Sequence, residues 1–200
     1  MRSLLLSVLL LAGLSAGTTA FAVAGDTKWN IDVSHSSIQF TVSHMVISEV
    51  TGRFQDFSGN IVTNNPDFSG ASVNVNIKAA SITTSNEKRD GHLKSADFFD
   101  VEKFPEASFV SKSMTKNDDG TYQIAGTLTM HGIAKDVVLD AKFKGSAKSP
   151  WGQNIAAFRA TTKINREDWG LKWNKALEAG GFLVGQEVEL TLTVELVQQG

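Results

Sequence analysis

The chain contains no cysteine. A disulfide framework, a thiolate nucleophile and a cysteine-ligated zinc or iron–sulfur centre are therefore excluded, and the fold has to be held by its apolar core. Proline is scarce, with three residues in 200, and only 20% of residues are charged, a composition unlike that of a disordered or linker-rich chain. An excess of either charge is also missing. Nineteen Lys and Arg against 21 Asp and Glu give a formal net charge of −2, which supplies no general electrostatic reason to bind nucleic acid or an anionic membrane surface. Glycine-rich phosphate loops and a G-x-S-x-G nucleophile turn are absent too.

What is present begins with an apolar leader. Arg2 is the only charge before Asp26, and Leu4, Leu5, Leu6, Val8, Leu9, Leu10 and Leu11 are followed by small residues through Ala24. The run is short for a bilayer core of about 30 Å, and the small-x-small triplets Ala20-Phe21-Ala22 and Ala22-Val23-Ala24 are cleavage signals. We read residues 1–24 as a secretory signal peptide cut after Ala22 or Ala24, and residues 25–200 as one domain delivered to the periplasm; an uncleaved anchor is the alternative. No cysteine follows the leader to carry a lipid anchor.

From Ile38 onward the apolar residues alternate with polar ones at period two, the signature of strands with one buried face. The clearest case is Val188, Leu190, Leu192, Val194 and Leu196, set between Glu187, Glu189, Thr191, Thr193 and Glu195. Similar phases centre on Phe40, Val50, Val75, Phe109, Ile124, Leu139 and Phe158, which predicts about eight antiparallel strands of roughly nine to eleven residues. Turns are expected at Ser58-Gly59, Lys116 to Gly120, Met130 to Gly132 and Ser149 to Gly152. Only Asn86 to Asp100 breaks the pattern as a helix would, with Asn86 as its cap. Eight such strands predict a mainly β fold closed as an antiparallel barrel under a short helical cover, and that size suits either a solid core or one small ligand. Small inward residues such as Gly52, Gly126, Ala141 and Ala160 suggest space, while large neighbours such as Phe40 and Phe143 could fill it.

Catalytic machinery is not visible. His35, His44, His92 and His131 show no metal-ligand spacing, so neither a metal site nor a catalytic set is expected. The densest polar cluster, Asn86 to His92, is either a solvated helix face or a rim for a polar headgroup, where Arg89 and His92 would donate to phosphate or carbonyl oxygens. Arg166 offers the same chemistry if Asp168 does not pair with it, and Trp169 and Trp173 either stack on a ligand or cap the core.

The order of motifs resembles the YceI-like periplasmic lipid-binding, or polyisoprenoid-binding, proteins. The resemblance is carried by Trp29-x-Ile31-Asp32-x-x-His35-Ser36-x-Ile38-x-Phe40-x-Val42-x-His44, Val50-Thr51-Gly52-Arg53-Phe54, Ser81-Ile82-x-Thr84, Arg89-Asp90-x-His92-Leu93, Asp97-Phe98-Phe99-Asp100, Phe104-Pro105, Gly126-x-Leu128-Thr129-x-His131-Gly132 and Arg166-x-Asp168-Trp169-Gly170. It implies an extended, lipocalin-like eight-stranded barrel holding a long isoprenoid chain, such as that of a quinone or polyprenyl phosphate, without catalysis and without a cofactor beyond that lipid. On this reading Phe40, Val42, Phe54, Val75, Ile77, Phe98, Phe109, Leu128, Phe158 and Ile164 line the tail, and Arg89, His92, Arg166 and Trp169 meet the head. The expected partner is the long-chain isoprenoid or amphiphilic lipid itself, with no nucleic acid, no membrane span after cleavage, and a monomeric or homodimeric state. An enzyme acting on a lipid headgroup through the histidines and Asp90, or an interaction domain with no ligand, is the alternative.

Overall fold

A computed structural model describes residues 25–178 and 180–200; the leader lies outside them. Eleven strands follow in chain order: β1 Thr27–Ile31, β2 Ser37–His44, β3 Ser48–Phe54, β4 Phe57–Thr63, β5 Ser72–Lys78, β6 Ile82–Thr83, β7 Glu106–Lys116, β8 Thr121–Met130, β9 Ile133–Lys148, β10 Asn154–Asn165 and β11 Val184–Gln198. All pair antiparallel, and β1, β4, β5, β7, β8, β9, β10 and β11 form a closed ring because β1 also pairs with β11. Closure leaves no open sheet edge around that ring.

Two ribbons of the barrel are each broken into a pair of strands. The first half of β11 pairs with β2, from His44 to Ser37, and its last residues pair with β1. A single 3-10 turn at Val33–His35 separates β1 from β2, where the Asp32 side chain accepts from the Ser34 amide at 2.9 Å. Next to them, β3 pairs with β2 while β4 pairs with β1, with Gln55 and Asp56 between. Counted as ribbons, the wall has the eight strands expected.

The sequence reading places a corner at Ser58-Gly59, but both residues lie inside β4. Gly59 is there because its neighbours leave no room for a side chain: a Cβ would stand 2.7 Å from the Asn74 carbonyl oxygen and 2.7 Å from Ile31 Cδ1. That is a strand glycine kept for close approach, not for a turn. The other three expected turns fall between consecutive strands, at 117–120, 131–132 and 149–153.

The only α-helix among the described residues, α1 Glu87–Lys94, begins at Asn86, whose side chain accepts from the Arg89 amide at 3.0 Å. It is shorter than the expected span to Asp100, and no residue of the helix itself is buried. What covers the barrel is the turn-rich segment after it, which carries buried Phe98 and half-buried Phe99. The wall needs this cover because β3 has only the two-residue β6 on its far side.

The core is the barrel interior. Along β8, Tyr122, Ile124, Leu128 and Met130 are buried at period two, while the outward face of the neighbouring strands carries ion pairs such as Lys112–Asp136 and Lys163–Glu187, both at 2.7 Å. An apolar inside and a charged outside is the reverse of a membrane-spanning barrel. Among the described residues no helix is long and apolar enough to cross a membrane.

Candidate functional site

The interior is neither solid nor one open bore. It holds two apolar cavities, of about 110 Å³ and 120 Å³, stacked along the barrel. Ile38, Ile77, Leu128 and Leu190 line both and form a waist between them.

The lower cavity is walled by alternating residues of β5, β7 to β11 and the β1–β2 ribbon, including Val75, Ile77, Phe109, Leu128 and Phe158. Its floor is Phe68, which is 3% exposed and sits in the left-handed region at φ 62°. That backbone is held by its surroundings. The Phe68 amide donates to Asn65 O, the Gly70 amide to Met114 O at 2.8 Å, and the Tyr122 hydroxyl to Asp67 O at 2.5 Å. The ring packs on Trp29, Phe143 and Phe158 with centroids 5.1 to 5.9 Å apart. The barrel is therefore sealed at this end.

The upper cavity is lined by Phe40, Val42, Phe54, Ile77, Phe98, Leu128 and Ile164, with Leu93 and Phe99 from the cover. All ten side chains expected to face a tail thus line one cavity or the other. Of the small inward residues, Ala141 and Ala160 line the lower cavity, whereas the two glycines leave no space of their own. A Cβ on Gly52 would meet Phe40 Cζ at 2.3 Å, and one on Gly126 would meet Phe109 Cζ at 2.4 Å, so each glycine receives a neighbouring ring. The cavities arise where aliphatic walls from opposite strands fail to meet.

The four residues expected at the head are scattered. Arg166 is 4% exposed, and its guanidinium is engaged by backbone: Nε donates to Gly185 O at 2.8 Å, and the terminal nitrogens donate to Leu171 O and Val184 O. Among the described residues it has no carboxylate partner, Asp168 included. Burial pushes its pKa below the ordinary arginine value, partly opposed by the charge of Glu167. It touches the upper cavity, but its donors tie the Leu171-to-Gly185 connection to the barrel. Trp169 lines neither cavity; it is 2% exposed and its indole N–H donates to Leu128 O at 3.1 Å, so it caps the core. Arg89 is exposed and turned onto Thr84, with Nε 2.7 Å from Oγ1. His92 alone stands between solvent and the cavity. Its Nε2 pairs with Asp97 Oδ2 at 2.8 Å, and its ring meets Phe98 and Trp173 edge-on at 5.1 and 4.7 Å.

Asp90 holds the cover in place. Its carboxylate accepts from Thr83 Oγ1, the Thr84 amide and Thr84 Oγ1 at 2.8, 2.7 and 2.5 Å, which fastens α1 to β6. Burial pushes this carboxyl up, but the hydrogen bonds from Thr84 and Thr83 prevail and hold it below the usual carboxylate range. With both oxygens engaged, Asp90 is an anchor rather than a free base. The sequence reading missed one potential ligand-binding group, Asp32, His35 and Glu195, whose donor atoms lie within 4.8 Å of one another. His35 Nδ1 lies 2.8 Å from Asp32 and 3.8 Å from Glu195, so the ring bridges two carboxylates. Distance along the chain hid it, since Glu195 is 160 residues from His35.

Fold and interior together define a class: a closed antiparallel barrel with a predominantly apolar, internally divided cavity, sealed at one end and covered at the other. The YceI-like domain matches residues 29–196, and the chain belongs to that family. It is 38% identical over 186 residues to a UPF0312 protein of Pseudomonas putida, covering 93% of this chain and 92% of that one. The crystal structure of the Campylobacter jejuni YceI protein is similar, with a TM-score of 0.67 and 33% identity over 79% of this chain and 90% of that one. A domain from Saccharophagus degradans described as polyisoprenoid-binding shares the fold at a TM-score of 0.61 and 15% identity, covering 86% of this chain and 98% of that one.

Proposed function

We propose that the protein is a non-enzymatic periplasmic carrier or store of a long-chain amphiphilic lipid of the isoprenoid type, a quinone or polyprenyl phosphate, with its tail in the barrel. The observation that carries this reading is the pair of stacked cavities whose walls are apolar apart from Thr162 and the backbone-engaged Arg166. A linear apolar chain gains from such a space roughly 2.5 kcal/mol for every 100 Å² it removes from water, while a polar head would lose its hydration there. Each cavity alone is smaller than the roughly 150 Å³ space that admits one benzene molecule, so a long tail has to occupy both and part the side chains at the waist. The sealed floor at Phe68 leaves the helix-covered end for entry and for the head. His92 stands at that end beside Phe98, which lines the upper cavity, and Trp173, with Arg89 on the same helix. The kindred fold in a domain described as polyisoprenoid-binding supports the choice of tail.

The test is native mass spectrometry of the mature protein purified without detergent, followed by organic extraction. A one-to-one isoprenoid adduct is expected. Bare protein that also takes up no added prenyl lipid would refute the carrier reading.

A further inference from the structure

Four of the eight exposed large hydrophobic side chains among the described residues stand together at one corner of the covered end. Met45, Val46 and Ile47 form the tip of the β2–β3 hairpin, with Val46 69% and Ile47 87% exposed. Phe182, 55% exposed, comes from the connection before β11. The two loops are tied to each other: the Met45 amide donates to Leu183 O at 2.8 Å, and Val46 Cγ2 would stand 3.2 Å from a Cβ on Gly181. The second loop is braced in turn by Asn174, which both donates to and accepts from the Val184 backbone at 2.8 and 3.0 Å.

The hairpin turn is built against its own conformational preference. Met45 and Val46 sit at φ 53° and 70°, where asparagine and glycine fit and a β-branched residue is an outlier. Strain of that kind, kept in order to hold bare apolar side chains in water, points to use rather than to stability. The position points to what use. Val42 and Val184 line the upper cavity, and they lie three residues before Met45 and two after Phe182. The patch therefore borders the end through which a tail would enter. The charged and titratable groups on the two loops are His44, Glu49, Lys172, Lys175 and Glu178, two lysines against two glutamates, so the surface is apolar without a basic field around it.

We infer that the tip formed by Met45, Val46, Ile47 and Phe182 docks on a lipid bilayer, inserting these side chains among the headgroups so that the mouth of the upper cavity opens against the membrane. Apolar area, not charge, drives the contact, and a neutral phosphatidylcholine surface suffices. The bilayer as partner rests in part on the lipid cargo of the proposed function, because a water-insoluble tail has to leave and rejoin a membrane.

Flotation of the mature protein with phosphatidylcholine vesicles tests this. The unaltered protein is expected to float with the vesicles, equally at low and high salt, and Ile47→Asp combined with Phe182→Asp to lower the bound fraction at least tenfold. Trp151→Asp, which removes a still more exposed aromatic (84%) from the turn at the sealed end, is expected to leave flotation unchanged. Unchanged thermal unfolding of the double variant keeps loss of fold out of the comparison. Absence of vesicle binding by the unaltered protein, or loss caused by Trp151→Asp instead, overturns the inference. So does a protein dimer that the double variant dissociates while vesicle binding persists, which would assign the patch to a second copy of the chain. Uptake of farnesol from solution, measured in parallel, separates the two proposals: vesicle docking without prenyl uptake leaves the docking site standing and removes the carrier.

Discussion

Two tryptophans bury the same ring in different hydrogen-bonding circumstances. The indole N–H of Trp169 donates to Leu128 O, whereas that of Trp29 is the only buried side-chain polar atom without a partner among the described residues. Replacing either by phenylalanine removes a similar volume, so the difference between the variants isolates the hydrogen bond. Trp169→Phe is expected to lose about 1 kcal/mol more stability than Trp29→Phe, as read by urea unfolding. Equal losses would show that the Leu128 contact contributes nothing. Asp32 and His35 give the same scale a pH signature. Hydrogen bonds from Ser34 and His35 lower the Asp32 carboxyl to about 2, so its contribution is complete above its unfolded value near pH 4 and disappears as the pH falls through about 2. His35 is shifted the other way, raised first by its hydrogen bond to Asp32 and then by the charges of Asp32 and Glu195. Its contribution is complete below about pH 6.5 and is lost as the pH rises through the raised folded value. The turn between β1 and β2 should therefore exchange its amide hydrogens most slowly, after correction for intrinsic rates, between roughly pH 4 and 6.5. Removal of the His35 ring should abolish the alkaline side of that window and leave an acid side.

Among the elements, α1 carries the sharpest expectation. No side chain of the helix is fully buried and only Leu93 packs on the core, so its position depends chiefly on Asp90 with Thr83 and Thr84 at the end of β6. Asp90→Ala removes three hydrogen bonds to a carboxylate and is expected to cost about 2 to 4 kcal/mol. It should also speed the release of a fluorescent apolar probe by at least tenfold, because the cover opens with the helix. Destabilisation without faster release would mean that the guest leaves by another route. This region also shows how far periodicity reaches. Asn86 as a cap was legible, since a side-chain acceptor before a charged first turn has one local meaning. The end of the helix was not, because Phe98 and Phe99 belong to a turn whose apolar residues are set by the open wall at β3 rather than by a helical repeat. β4 was missed for a related reason: Gly59 looks like punctuation until Asn74 and Ile31 are seen to crowd it. The long β8 to β11 ribbons were legible over their regular stretches, where every second residue faces the interior, but not at the register shifts beside Lys144 and between Val184 and Val188.

For the molecule as a whole, nine of the ten tail-lining residues were readable from alternation, because facing inward is a property of each strand alone; Phe98 comes from the cover. The waist was not, because Ile38, Ile77, Leu128 and Leu190 come from four strands and meet only on closure. Nor were the head residues: donors on Arg89, Arg166 and Trp169 look available in sequence and are engaged at home by Thr84, by the carbonyls of Leu171, Val184 and Gly185, and by Leu128. The waist supplies a test at this scale. Leu128→Trp, or the milder Ile77→Phe, should close the lower cavity and leave the upper one open. Denying a long tail about 100 Å² of contact costs about 2.5 kcal/mol, roughly fifty- to a hundredfold in Kd, while a ligand short enough for the upper cavity should bind within about threefold of the unaltered protein. Equal weakening of long and short ligands would mean that the two cavities are not filled in series.

The left-handed Phe68 at the floor has a geometric corollary. A tube open at both ends accepts a thread of any length, but one with a fixed stop measures it. Any chain-like guest that slides in from the helix end halts against the aromatic stack of Phe68, Trp29 and Phe158, and whatever exceeds the bore is left protruding at the mouth. Such a barrel would sort its guests by length as well as by polarity, with the ruler's zero mark at residue 68.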